Sequence, residues 1–114
     1  MADLTDAIRH FRSVPDNLLK ALKESFVEVG ELITSDAKSN CPVDTGFLRD
    51  SIKSNVKVEN DDVLCEVVAT AEYASFIELG TSRMVAQPFI RPAIESNKDK
   101  INELIKKSVK RAFT

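Results

Sequence analysis

Residues 16–39, DNLLKALKESFVEVGELITSDAKS, place Leu18, Leu22, Phe26, Val29, Ile33 and Ala37 three or four positions apart, with Leu19 and Leu32 beside them. At about 100° per residue these side chains fall within one half of a helix, and only Val27 lies outside it. The stretch predicts an amphipathic helix of about 36 Å at 1.5 Å per residue. Ser13 and Asp16 have capping-box spacing ahead of it, and Pro15 suits a first turn. A compact domain of this length has a radius of gyration of about 13 Å, hence a diameter of roughly 34 Å. The helix is therefore expected to span the body or slightly overshoot it, with one end free to pack on a neighbour. Its polar side, with Glu24, Glu28 and Glu31 close together and Lys20, Lys23 and Lys38 nearby, reads as a solvated face.

Working outward toward the N-terminus, Leu4, Ile8 and Phe11 follow Asp3 at helical spacing and suggest a short helix or arm within residues 1–14. Toward the C-terminus, Pro42 disfavours helix at Cys41. Asp44 or Thr45 can then cap a single turn through Phe47, Leu48 and Arg49, with Gly46 allowing a tight bend. Ser54, Val56 and Val58 alternate with Lys53, Asn55, Lys57 and Glu59, the pattern of a strand buried on one face. Asn60-Asp61-Asp62 reads as a hairpin turn into a second strand, Val63 to Thr70, whose apolar run suggests burial on both faces and a larger sheet.

Tyr73 to Leu79 reads as a short helix stopped by Gly80. Gly80 to Gln87 has no periodicity and reads as an extended loop or arm. Phe89 and Ile90 suggest a brief strand, and Pro92 is placed to begin a helix. Ile94, Ile101, Leu104, Ile105, Val109 and Ala112 form one narrow stripe down that helix. Lys106, Lys107, Lys110 and Arg111 crowd its end, where they suit the helix dipole or, alternatively, an anionic partner such as DNA. The elements describe one α+β domain over residues 1–114: a long N-terminal amphipathic helix and a C-terminal helix on a small, mainly antiparallel sheet.

Composition narrows the functional classes. With 16 basic and 18 acidic side chains the net charge is −2, which argues against binding nucleic acid by bulk attraction. The hydrophobic fraction of 43% supports a core, and with aromatics at 6% and no Trp that core must be built mostly from Val, Ile and Leu. Met1-Ala2-Asp3-Leu4-Thr5-Asp6 has neither a basic leader nor an apolar run, so no secretory signal is expected. No apolar stretch approaches the roughly 20 residues of a membrane span. The chain is expected to be made in the cytoplasm, without membrane association.

Catalytic chemistry finds little support. Cys41 and Cys65 lack CxxC spacing and a second His, so no metal site or disulfide framework is indicated, and they read as reduced, small apolar groups. His10 is the single histidine, far in sequence from either thiol. Asp44 and Glu78 form a conceivable acid–base pair, but as readily cap turns or pair with Arg49, Arg83 or Arg91. The glycines form neither GxGxxG nor a P-loop, so no cofactor is expected.

Two segments remain: Cys41-Pro42-Val43-Asp44-Thr45-Gly46-Phe47-Leu48-Arg49-Asp50-Ser51-Ile52, and Ile77-Glu78-Leu79-Gly80-Thr81-Ser82-Arg83-Met84 running on to Gln87-Pro88-Phe89-Ile90-Arg91-Pro92-Ala93. They hold two of the three glycines and three of the four prolines, and no catalytic cluster. Their order, with a hairpin between them, a long helix before and a helix after, resembles the neck and tail-completion family of long-tailed double-stranded DNA phages and prophages, over roughly Leu18 to Ile105. Asp44, Thr45, Gly46, Leu48, Arg49 and Ser51 match the first motif. Glu78, Gly80, Thr81, Pro88, Phe89, Pro92 and Ala93 match the second and third. At Cys41 the motif tolerates several residues.

The resemblance implies a non-enzymatic virion protein at the head–tail junction, made in the host bacterial cytoplasm. It implies a homo-oligomeric ring, a hexamer in preference to a dodecamer, that joins portal or head-completion proteins to the tail tube or tail terminator and lets double-stranded DNA pass. Within that reading Arg83, Met84, Val85 and Gln87 are candidate subunit contacts, Met for adaptable packing and Arg as a polar anchor. Glu24, Glu28 and Glu31 are candidate channel-lining residues, because carboxylates repel the phosphate backbone. Two readings from other classes stay open: a small DNA-binding adaptor using the basic C-terminal helix, and a thiol hydrolase on Cys41.

Overall fold

In the computed structural model, residues 4–7, 15–42, 46–59 and 62–113 are described. In chain order the elements are β1 (Leu4–Ala7), α1 (Asp16–Asn40), α2 (Gly46–Asp50), β2 (Ile52–Glu59), β3 (Asp62–Ala69), α3 (Ala74–Leu79), α4 (Arg91–Ser96) and α5 (Lys98–Ala112). The fold is α+β, as the sequence predicts.

The long helix forms where its apolar stripe places it. Leu22, Phe26, Val29, Ile33 and Ala37 are buried, and Val27 points outward. Pro15 stands at its N-cap without a side-chain cap, and its carbonyl accepts the Leu19 N–H at 2.8 Å. Ser13, the other half of the expected capping pair, lies outside the described residues. The helix ends at Cys41, whose extended backbone (φ −60°, ψ 141°) is what a following Pro42 favours. The body is elongated rather than sphere-like, with a radius of gyration of 15.4 Å and extents of 53 × 25 × 22 Å. A helix of about 37 Å therefore does not overshoot it, contrary to the expectation from a spherical domain.

The sheet has three antiparallel strands in the order β1-β3-β2. β2 and β3 pair from Ile52↔Ala69 to Glu59↔Asp62, so Asp62, expected in the turn, belongs to the strand; Asn60 and Asp61 lie outside the described residues. On the other edge β1 covers only the second half of β3, from Leu4↔Ala69 to Ala7↔Glu66. This overturns the expected N-terminal helix at Leu4–Ala7: four residues at the start of a helix-like pattern instead pair with the second half of β3. Ile8, His10 and Phe11 lie outside the described residues.

β3 is the central strand. Val63, Cys65, Val67 and Ala69 are fully buried on one face, while Leu64, Glu66 and Val68 are half-buried on the other. α1 crosses the buried face, and Gly30 marks the closest approach: a Cβ there would stand 2.8 Å from the Ser54 side chain and 3.3 Å from Cys65 Sγ. α5 runs antiparallel to α1. Asn17 Nδ2 donates to the Ala112 carbonyl at 2.6 Å at one end, and Asn97 Nδ2 donates to Asp36 Oδ2 at 2.6 Å at the other.

Three further expectations change. Phe89 and Ile90 form a bend, not a strand, because their N–H groups are taken by a side chain described below. The C-terminal stripe belongs to two helices, since Asn97 (φ −104°, ψ 10°) ends α4 and turns its amide onto the Ala93 carbonyl at 2.7 Å. Gly46 starts α2 without a left-handed backbone; among the described residues Gly80, with φ 78°, is the glycine that needs one.

Candidate interaction surface

The second and third motifs meet through one side chain. Glu78, near the end of α3, is buried, and its carboxylate faces the start of α4. Oε1 accepts the N–H groups of Phe89 at 2.9 Å and Ile90 at 3.0 Å, and Oε2 accepts that of Arg91 at 3.1 Å. α4 has no local side-chain cap, and Pro92 has no N–H to satisfy. A carboxylate at a helix N-terminus also suits the positive end of the helix dipole. Phe89 and Ile90 are thereby held fully buried in the core, and Pro88 brings the chain to them from the exposed loop.

The first motif holds α2 against the sheet. Leu48 is fully buried, and Ser51 Oγ donates to the Leu48 carbonyl at 2.7 Å. The Ser51 carbonyl in turn accepts the Thr70 N–H at 3.4 Å, tying the motif to the end of β3. Arg49 is half-buried; Asp44 and Thr45 lie outside the described residues.

Between α3 and Pro88 the chain makes a closed turn. Thr81 and Met84 exchange backbone hydrogen bonds at 2.9 and 3.3 Å, the Thr81 hydroxyl accepts the Arg83 N–H at 3.2 Å, and the Gln87 N–H returns to the Ile77 carbonyl at 2.8 Å. Gly80 permits this fold, because a Cβ there would meet the Ala86 nitrogen at 2.8 Å. Arg83, Met84, Val85 and Gln87 are all exposed, Val85 by 84%. Glu24, Glu28 and Glu31 are exposed on α1, and Glu24 reaches Arg111 of α5 at 3.9 Å. Lys107 likewise has Glu103 at 3.7 Å, so the basic end of α5 is interleaved with carboxylates.

The thiols are poorly suited to nucleophilic work. Burial pushes the Cys41 thiol up, with Arg49 opposing and Glu78 adding to the shift. Burial and then Glu66 push Cys65 up to about 11. A reactive cysteine needs the opposite shift. Both oxygens of Glu78 are engaged by backbone amides, and Asp44, its conceivable acid–base partner, lies outside the described residues. Among the described residues no group of His, Cys, Asp and Glu has the arrangement of a metal site, and no helix is long and apolar enough to cross a membrane.

Sequence reasoning missed two features. Ser25 and Ser108 are buried and hydrogen-bonded to each other across the α1–α5 interface, where Ser108 Oγ also donates toward the Ala21 and Leu104 carbonyls. The signal was there: each serine lies inside an apolar stripe. The second is an aromatic surface. The Phe47 and Tyr73 rings lie 6.5 Å apart beside a cleft of about 300 Å³ lined also by Thr70, Ala71 and Glu72, and Phe76 and Leu79 extend the exposed apolar surface along α3.

A family model described as "Bacteriophage HK97-gp10, putative tail-component" matches residues 5–80, from within β1 to the C-cap of α3. No curated protein and no solved structure matches the chain.

Proposed function

The chain belongs to the HK97-gp10-like family of bacteriophage tail components, and from that premise we propose that it is a ring-forming subunit at the head–tail junction. A structural component of the phage tail, and hence of the virion, is what the family itself implies. The junction, the ring and the passage of DNA are our reading, and the family match over residues 5–80 is the observation that carries it.

In this reading the motif residues serve the subunit's own body: Leu48 and Ser51 seat α2, and Glu78 and Pro92 start α4. The exposed turn with Arg83, Met84, Val85 and Gln87 meets the neighbouring subunit. Six copies surround a lumen faced by the outer side of α1, where Glu24, Glu28 and Glu31 keep the DNA backbone from adhering. The ring joins the portal or head-completion proteins to the tail tube or tail terminator.

Electron microscopy of particles carrying a tagged chain tests the location. A ring of extra density between capsid vertex and tail is expected, with unjoined heads and tails when the chain is omitted. Label distributed along the tail shaft would contradict the junction placement.

A further inference from the structure

We propose that the two ends of α3 are complementary halves of a head-to-tail contact between copies of this chain. Met84 and Val85 of one copy, with Arg83 beside them, seat in the Phe47–Tyr73 cleft of the next, whose rim carries Glu72. The proposal rests on the ring reading above and gives that ring its subunit contact.

Among the described residues nine large apolar side chains are exposed; Val27, Val58, Val109 and Phe113 stand apart, and the other five gather in one place. Phe47, Phe76, Leu79, Met84 and Val85 are 71%, 54%, 63%, 38% and 84% exposed, and all lie on or beside the six-residue α3. Single exposed apolar residues need no explanation, but a concentrated patch marks an interaction site. Tyr73, Phe76 and Leu79 lie three positions apart, the spacing at which successive side chains are neighbours on a helix surface.

The patch has two unlike ends. At the N-terminal end of α3 the Phe47 and Tyr73 rings, tilted 30° to each other, flank a cleft of about 300 Å³. At the C-terminal end, the Thr81–Met84 pairing and the Gln87 tie to Ile77 present Arg83, Met84 and Val85 on a closed turn. That tie keeps the turn at its own end of α3, about 9 Å of helix away from the cleft, so one chain does not fill its own cleft. A pre-ordered knob loses less freedom on docking than a mobile arm.

Charge selects the occupant. Glu72 and Arg83 are both exposed, and among the described residues neither has an ion-pair partner. The acid stands at the hole and the base at the knob, so a second copy matches both the apolar and the charged part. DNA would meet a carboxylate at an apolar cleft. Because knob and hole are different patches, the contact is heterologous, the type that closes into a ring.

The test uses full-length Val85→Cys and Phe47→Cys variants, mixed and oxidised with copper phenanthroline, alone and with the portal complex. A disulfide needs Cα atoms within about 7 Å, so a Val85→Cys to Phe47→Cys dimer is expected in the mixture and not from either variant alone. The double variant is expected to give a ladder ending at the copy number of the ring. Arg83→Glu on the Val85→Cys chain should lower the yield severalfold, and Glu72→Arg on the Phe47→Cys chain should restore it. Rings of normal mass without this cross-link would overturn the contact and leave the ring reading standing. Absence of any assembly, with native circular dichroism, would overturn both. A cross-link from Val85→Cys to a portal protein, or a disulfide within one chain of the double variant, would also overturn the contact.

Discussion

Glu78 Oε1 accepts the Phe89 amide at 2.9 Å from eleven positions earlier in the chain, so the helix that follows is capped by the helix that precedes it. The same carboxylate takes Ile90 and Arg91, and these three contacts fix where the exposed turn leaves and re-enters the body. Removing the acceptor strands amides that water reaches poorly. Glu78→Ala is expected to cost roughly 2–4 kcal/mol, and Glu78→Gln, which keeps one oxygen, about half of that. Urea unfolding checks this: the midpoint should fall with the slope unchanged. A loss below about 0.5 kcal/mol for the alanine variant, the size of an ordinary surface substitution, would contradict it.

Gly30 lies in the middle of a helix, where alanine would ordinarily add about 1 kcal/mol of stability. Here the added methyl would sit 2.8 Å from the Ser54 side chain, between α1 and the sheet. Gly30→Ala is therefore expected to destabilise by about 1–3 kcal/mol. Ser54→Gly, which removes the nearest atoms, should recover part of that loss in the double variant. Stabilisation by Gly30→Ala alone, read from thermal unfolding, would show that the interface yields.

The Ser25–Ser108 pair gives an asymmetric expectation. Ser108 keeps carbonyl acceptors at Ala21 and Leu104 when its partner is removed, whereas Ser25 loses the hydroxyl it faces. Ser108→Ala should cost about 1–2 kcal/mol and Ser25→Ala less, with the double variant no worse than Ser108→Ala, because removing both polar groups leaves none unsatisfied. A double-mutant cycle with additive losses would contradict the pairing.

Cys65 carries a pH signature. Its folded-state thiol is raised from 9.0 to about 11, first by burial and then by Glu66. As pH rises the unfolded chain loses this proton first, so the stability that the neutral thiol contributes is fully present below about pH 9 and is lost toward pH 11. Cys65→Ala, though less stable near neutrality because of the space it leaves, should lose less on going from about pH 8.5 to pH 11 than the parent chain. Parallel pH profiles would contradict this.

Much of the fold was legible because α1 and β3 are governed by local periodicity. A stripe from Leu18 to Ala37 has no other compact solution, and the run from Val63 to Ala69 requires a central strand. The failures are tertiary. Leu4–Ala7 carries a helix-like spacing, but its four residues are worth more as a third strand on β3 than as one helical turn. Asn97 interrupts a stripe whose gap between Ile94 and Ile101 was the visible hint of a break. Glu78 was readable as a turn cap, but which amides it serves depends on how α3 and α4 are juxtaposed. The Phe47–Tyr73 surface was hidden in the same way, because the two rings are far apart in sequence and meet only once α2 and α3 are placed. Its exposure is the property that periodicity, a guide to burial, does not report.

Assembly into a ring is read by native mass spectrometry of the purified chain, alone and mixed with the portal complex or the tail tube. A discrete multiple of the 12.7 kDa chain, six copies, formed alone or on the portal and retained there, is expected. A chain that stays monomeric in every mixture and joins neither the portal nor the tube would contradict it.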